Sequence, residues 1–594
     1  MKIILTRLFG ESAGEKSLYL GPWCVDYSAG QPADVRRILA NPWADREKVD
    51  QAAEECFAYY LRLIKELTPI FNRIHGVNKE DRYWKILVGP WLLRFLHTAY
   101  DRYIHIAAAR EAYGEFESAC LQPEDYLTPQ NTLDFNYRVF DDFYNHQLFT
   151  RIVRHMDLPH SLRSAVAGTT NSGNETEYIK RKERLRGLKK LLKWASFRMA
   201  ANRRTYLCDV YLSRRDIRDM IVQSKGALWP SQYTWENSYP RIYHKDELKR
   251  SELSRIPWRN DFEELFVSLL ADEIPALYLE GYASACQRIH GEIRRMPDRI
   301  FSSIGWFFNE HLKFLAAESL QNGVHLIGSQ HGGGYGSGRI PVERQELDLV
   351  DTYCTWGWHA HGYDTRVLPS PRLQEQFRRE HLAEAGRPDI LFVGTNHPRY
   401  TYYLYSVPLN SQFDDYIGQR ADFYRALEGT AQAAVRWRLY MRHYGRFDRQ
   451  RLAADIPEAR FDEAPSMEAA LKTARLAVVD HLMTSYHELL AMNFPTIVIG
   501  NDRLWEVREG VRELYETLQE AGILFSDPRK AAEHINKVYH DPAAWWFGPE
   551  AQAARGAFCR QMACGSPHWC SLWQQMIAQP RRAAKSEGEL SRVC

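Results

Sequence analysis

Apolar residues recur at intervals of three and four through VDQAAEECFAYYLRLIKELTPIFNRI and YWKILVGPWLLRFLHTAYDRYIHIAAA, and predict long helices between Asp34 and about Tyr113. Gly89-Pro90 inside the second stretch predicts either two helices or one kinked helix. Tryptophan and tyrosine are dense there and read as an aromatic-rich helical core. Ahead of these helices, Ile3 to Thr6 predicts a short strand, followed by a loop and SLYLGPWCV. Further on, DEIPALYLEGY, RIFSSIGWFFNEHLKFLAAESLQNGVHLIGSQHGG and DLVDTYCTWGW follow a rhythm of strand, helix, strand and loop. Within it NEHLKFLAAESLQNG is an amphipathic helix closed by Gly323, and VHLIG is a short buried strand. The alternation returns after VLPSPRLQ in DILFVGT, AVRWRLYMRHY, ARLAVVD, SYHELLAMN and PTIVIG. Strands alternating with helices predict doubly wound parallel sheets, so the expected class is α/β. A linker near residues 360–388 separates two such regions, which gives two Rossmann-like domains facing each other across a cleft. The expected division is an N-terminal domain over 1–360 with helical elaborations, a C-terminal domain over 361–578, and a disordered polar tail over 579–594.

At 594 residues the chain exceeds what one core supports, in agreement with two domains. The net charge of +2 points to no partner by global electrostatics, and no nucleic-acid partner is expected. Locally the balance is different. KRKERLRGLKKLLKWASFRMAANRR, Lys180 to Arg204, carries eleven basic residues and one acid, Glu183, with Leu185, Leu188, Leu192 and Trp194 on an apolar side. Such a basic amphipathic helix is a peripheral contact for an anionic inner membrane, a solvated face, or the lining of a channel for a phosphate-bearing substrate. Ten cysteines without C-x-x-C spacing exclude a disulfide scaffold. Cys559, Cys564, His568 and Cys570 do not fit zinc-knuckle spacings, so no metal site is expected. With no apolar run long enough for a signal peptide or a membrane span, the expected location is the cytoplasm.

The chemistry concentrates at strand ends, where open α/β sheets bind their ligands. SQHGGGYGSG, Ser329 to Gly338, follows the strand VHLIG and holds five glycines. Gln330, Gly332, Gly333 and Gly334 are candidates to bring backbone N–H groups up to a phosphate or sugar. His331 is the candidate catalytic residue, because a histidine takes a proton from a hydroxyl near neutral pH. A buried, hydrogen-bonded histidine in a tight loop is the structural alternative. A second candidate site opens the helix of ARLAVVDHLMTSYHELLAMNFPTIVIG, where Thr484, Ser485, His487 and Glu488 cluster. Ser485-x-x-Glu488 matches a capping box, and the same geometry presents hydroxyls, free N–H groups and a ribose-holding carboxylate to a nucleotide. GTNHPRY adds His397 as a nucleotide contact or a turn residue. Arg442 is a candidate to stabilise a phosphate leaving group together with helix N-termini. No D-x-D motif stands out, so a metal-independent site without a cofactor is expected.

Five motifs in this order, LGPWC, YWKILVGPWL, GSQHGGGYG, TWGW and TSYHELLAMNFPTIVI, resemble a family of transferases encoded in bacterial O-antigen and capsule loci. The C-terminal βαβ unit is similar to the donor-binding domain of GT-B glycosyltransferases. Gln330-His331-Gly332 resembles the histidine-glycine motif of glycerophosphotransferases and of Kdo- or sialic-acid-type GT-B enzymes, in which the histidine lies beside the reacting centre. The resemblance implies a GT-B-like transferase that takes a nucleotide-sugar donor and a glycan or lipid-linked glycan acceptor of a bacterial surface polysaccharide or lipopolysaccharide. A CMP-linked ulosonic acid such as Kdo is the first donor to test. A glycerophosphotransferase-type polymer transferase and a non-catalytic glycan-binding or assembly protein remain as alternatives.

Overall fold

Two six-stranded parallel sheets carry the molecule, as described by a computed structural model over residues 1–12, 17–28, 37–165, 195–201, 203–231, 243–370, 373 and 387–578. The loop TNSGNETE, most of the basic segment 180–204 and the tail from residue 579 lie outside the described residues. Two short parallel pairs come first: β1 (Lys2–Ile4) with β2 (Ser17–Tyr19), and β3 (Ser118–Leu121) with β4 (His160–Arg163).

The first large sheet contains β5 (Thr205–Cys208), β6 (Pro230–Ser231), β7 (Arg299–Ser302), β8 (His325–Ser329), β9 (Thr352–Thr355) and β10 (Thr365–Val367). Its spatial order is β10-β9-β8-β7-β5-β6. The second contains β11 (Asp389–Val393), β12 (Val435–Arg438), β13 (Arg460–Phe461), β14 (Ala474–Val479), β15 (Thr496–Ile499) and β16 (Leu524–Phe525), ordered β13-β12-β11-β14-β15-β16. Counted within the sheet, that is 3-2-1-4-5-6, the Rossmann order, which reverses between β11 and β14. Helices cover both faces, so a central strand such as β8 or β11 is buried at every position and reads as a nearly unbroken apolar run.

The helical layer is built on Arg46–His75 and Asp81–Tyr113, which pack against each other. Asp45 caps the first by accepting from the Glu47 N–H, and Gly76 ends it in the left-handed region. Gly89-Pro90 does not split the second helix. A Cβ at Gly89 would lie 2.5 Å from the Tyr60 hydroxyl, so the missing side chain is what lets the two helices meet there.

Three expectations are corrected. DEIPALYLEGY is helical (Ala276–Leu279, leading into Tyr282–Glu292), and β5 supplies a strand the pattern did not show. The division at residue 360 moves, because β10 pairs with β9 and belongs to the first sheet. The last helix, Trp569–Ala578, leaves the second domain and packs Trp573 and Met576 on Leu207, Phe301 and Cys354 of the first sheet.

The segment after β11 also crosses between domains. Arg399 pairs with Asp142, the Arg102 guanidinium donates to the Thr401 carbonyl at 2.7 Å, and the Leu404 N–H donates to His97 at 3.2 Å. With Arg46 donating to the Tyr405 and Val407 carbonyls at 3.2 Å each, residues 399–407 are strapped into the helical layer. Among the described residues, no helix is long and apolar enough to cross a membrane.

Candidate functional site

The glycine-rich loop leaves the carboxyl end of β8 and runs into the helix Pro341–Leu349. Gln330 is buried and spends its amide on the loop itself. Its Oε1 accepts from the Trp356 N–H (2.9 Å) and the Trp358 indole (2.8 Å), and its Nε2 donates to the Gly332 carbonyl (2.9 Å). It holds the loop's shape, where a substrate contact was expected.

His331 stands beside it with a different set of partners. Its Nε2 lies 2.8 Å from the Tyr335 hydroxyl and 3.3 Å from Glu346 Oε1, while Glu346 Oε2 accepts from the Tyr353 hydroxyl at 2.8 Å. An ionised carboxylate only accepts, so it selects the tautomer with the proton on Nε2, and among the described residues no hydrogen bond engages Nδ1. Burial first, and the carboxylate of Glu346 next, push the Tyr335 hydroxyl well above its ordinary range, so it stays protonated. The His331 side chain is 17% exposed and Glu346 1%. One edge of the imidazole is fixed by these partners, and the ring is framed by those of Phe307 (6.0 Å) and Tyr211 (6.1 Å). Glu346 was missed in the sequence. The available signal was Glu343 and Glu346, two carboxylates at i, i+3 on one helix face.

Across the seam the glycines meet the second domain. The Gly333 N–H donates to Thr484 Oγ1 at 2.9 Å. A Cβ on Gly333 would stand 2.6 Å from both the Met483 carbonyl oxygen and His487 Nδ1, and one on Gly332 would stand 3.2 Å from Thr484 Oγ1. Gly334 has a φ of 85°, in the region that favours glycine. The close approach that the glycines permit at Gly333 is therefore by the partner domain's backbone. Glu343 adds to the seam by accepting from the Gly336 N–H (2.6 Å) and from Arg508 (2.8 Å).

The helix Thr484–Ala491 starts without a side-chain cap, and its N-cap is Met483. The capping box expected at Ser485 and Glu488 is not formed, since Ser485 already lies within the first turn. Ser485 and Glu488 are half-buried. His487 is buried, with Nδ1 at 3.0 Å from the Met483 carbonyl and its ring 5.2 Å from Phe558. His397 is buried too, between Tyr405, Phe413 and Trp505, with Nδ1 3.3 Å from the Tyr405 hydroxyl. Arg442 lies on the loop after β12 with its side chain exposed, and its carbonyl accepts from Asn396 at 3.2 Å. Where the strand order reverses, Asp480 accepts from Tyr416 (2.6 Å) and Arg420 (2.8 Å), and all three are buried.

Burial holds His97, His397 and His481 down at about 3 and His487 at about 4, from an ordinary 6.5. Between those values and 6.5 the unfolded chain binds more protons than the folded one, so stability falls as pH drops through that window. Each histidine contributes about 1.4 kcal/mol per pH unit. Burial raises Glu343, Asp448 and Asp480, which acts in the opposite direction, but those groups titrate from lower unfolded values. The melting temperature is expected to be lower at pH 5.5 than at pH 7.5. A flat profile over that range would show that these histidines are not buried and neutral.

Two doubly wound parallel sheets, each forming a Rossmann-like domain and meeting across a seam, give a GT-B-like fold. The chain belongs to the LIC12162 family of transferases, whose model matches residues 1–577. No curated protein matches it. Similar solved structures include MurG from Acinetobacter baumannii, 11% identical over 63% of this chain and 98% of that one, TM-score 0.33. The wall teichoic acid polymerase TagF is 9% identical over 47% and 71%, TM-score 0.28. WaaG, a glycosyltransferase involved in lipopolysaccharide biosynthesis, is 8% identical over 50% and 95%, TM-score 0.25.

Proposed function

We propose that the chain is a glycosyltransferase that moves a sugar from a nucleotide-sugar donor to a hydroxyl of a bacterial surface glycan. The observation that carries this is His331, tied through Nε2 to buried Glu346 and Tyr335 at the carboxyl end of β8, with no hydrogen bond among the described residues engaging Nδ1. In the transfer step Nδ1 takes the proton of the acceptor hydroxyl as its oxygen bonds to the anomeric carbon. The bond from that carbon to the donor phosphate oxygen breaks, and the nucleotide leaves with the electron pair. The uncapped start of Thr484–Ala491 would supply N–H groups and the positive end of a helix dipole to the leaving phosphate, with Ser485 and Glu488 proposed to hold the ribose. No resident metal enters this scheme, so turnover is expected to survive EDTA.

A thermal-shift panel of CMP, UDP, GDP, dTDP and CDP-glycerol tests the donor half. A nucleotide that binds only the folded chain adds about 2.7 kcal/mol at a hundred times its Kd. One member of the panel should stand apart. CMP would direct the next assay to a CMP-linked ulosonic acid such as Kdo, and CDP-glycerol would place the chain with glycerophosphate transferases. If no nucleotide shifts the transition and no donor is turned over, the site is a glycan-binding one without chemistry.

A further inference from the structure

Ring contacts continue outward from His331. Phe307, 6.0 Å from the imidazole, is also 6.0 Å from the Arg94 guanidinium, which lies 5.0 Å from the ring of Tyr402. Tyr402 reaches Phe140 at 5.3 Å, and Phe140 reaches Tyr444 at 6.0 Å. Tyr444 stacks on Tyr440 at 6.0 Å with 17° between planes. Phe307, Tyr402, Phe140 and Tyr444 are half-buried, and Tyr440 is 47% exposed. Phe307 follows β7, Tyr402 follows β11, and Tyr440 and Tyr444 follow β12, so loops at strand ends of both domains build the track. Arg94 comes from the helix Asp81–Tyr113 and Phe140 from the turn after Thr132–Arg138.

Arg94 is the unusual member. It is 9% exposed and donates to the neutral Asn136 Oδ1 at 2.6 Å, and among the described residues no carboxylate pairs with it. Arg102 and Arg399, also buried, are paired with Asp101 and Asp142. Burying a guanidinium without a counter-charge is costly, and aromatic faces offset only part of that cost. A bound anion would remove the rest. Partly covered rings with one placed charge are also how a site holds a ligand that is apolar on its faces and polar at its edges, as a sugar is.

We propose that this track is the acceptor subsite and that it takes an acidic glycan. The rings carry sugar faces, and Arg94 holds the carboxylate or phosphate of one residue. The proposal rests on the glycosyl-transfer reading above, but binding tests it without turnover. The probes are tetragalacturonic acid, maltotetraose bearing a 6-phosphate, and plain maltotetraose, titrated calorimetrically into the full chain. At least one acidic probe should bind ten-fold or more tightly than the neutral one, and whichever does identifies the group recognised. Arg94→Gln should abolish that preference, a loss of about ten-fold or more, and leave the neutral probe unchanged. Tyr440→Ala, at an exposed position, should weaken the tighter-binding probe at least about three-fold. Acidic probes that bind no better than the neutral one in the wild type would overturn the proposal, even if Arg94→Gln does not fold. So would a preference that survives Arg94→Gln, or affinities indifferent to Tyr440→Ala. Probe binding is read without turnover, so a chain that binds acidic glycans yet turns over no donor would sink the transfer reading alone.

Discussion

His331→Ala is expected to fold and to turn over donor roughly 10²–10⁴-fold more slowly, the usual worth of a positioned general base. The fold should survive because the loop is held by other groups: Gln330 bonded to Trp356 and Trp358, Glu343 bonded to Gly336 and Arg508, and Thr484 bonded to Gly333. Nucleotide binding should persist, since the donor contacts proposed lie on the other domain. Glu346→Gln separates base from orientation. It keeps the size of the side chain and removes the charge that fixes the proton on Nε2, so kcat should fall about ten-fold or more with KM little changed. A folded His331→Ala protein with wild-type turnover would remove the histidine from the chemistry. A Glu346→Gln protein that lost only melting temperature would leave the glutamate as packing.

The parts legible in the sequence were those with local causes. Helix ends are local, as in the chain closed by Gly323 at φ 67° or begun by Asn309, whose side chain accepts from the Leu312 N–H at 3.2 Å. Buried central strands such as β11 and β14 are short apolar runs ended by Gly394 or Asp480, and they fall where the pattern predicts. PALYL also reads as a strand because it has no periodicity. All of Ala276–Leu279 is buried, so the short helix has no polar face to betray it. The capping-box reading failed by position, since the chain stays extended at Met483 and turns helical at Thr484, ahead of Ser485. Glu346 and Arg94 are long-range facts. One is the partner of a histidine fifteen positions earlier, brought back by the turn into Pro341–Leu349, and the other meets rings from loops of both sheets. His331 could be singled out from its neighbours in sequence, but what orients it could not.

A graded response is expected from alanine placed along the loop. At Gly338 an added Cβ would meet nothing nearer than 3.5 Å, an ordinary contact, and stability should be unchanged. At Gly332 the nearest atom is Thr484 Oγ1 at 3.2 Å, which a small rotation relieves, so the cost should be below about 1 kcal/mol. At Gly333 the Cβ would lie 2.6 Å from the Met483 carbonyl oxygen, a backbone atom at the start of a buried helix, and 2.6 Å from His487. Neither can move without shifting that helix, and the cost should reach about 2–3 kcal/mol, the upper part of the overpacking range. Gly333 does not have a positive φ, so strain of that kind does not add to the effect. The same displacement moves the next-but-one residue, His331, and a shift of about 1 Å at a reacting group is worth roughly 10² in rate. Gly333→Ala should therefore lose melting temperature and turnover together, while Gly338→Ala loses neither. If the glycines instead existed only to admit substrate, Gly333→Ala would raise KM and leave the melting temperature alone, and calorimetry beside steady-state kinetics tells the two apart.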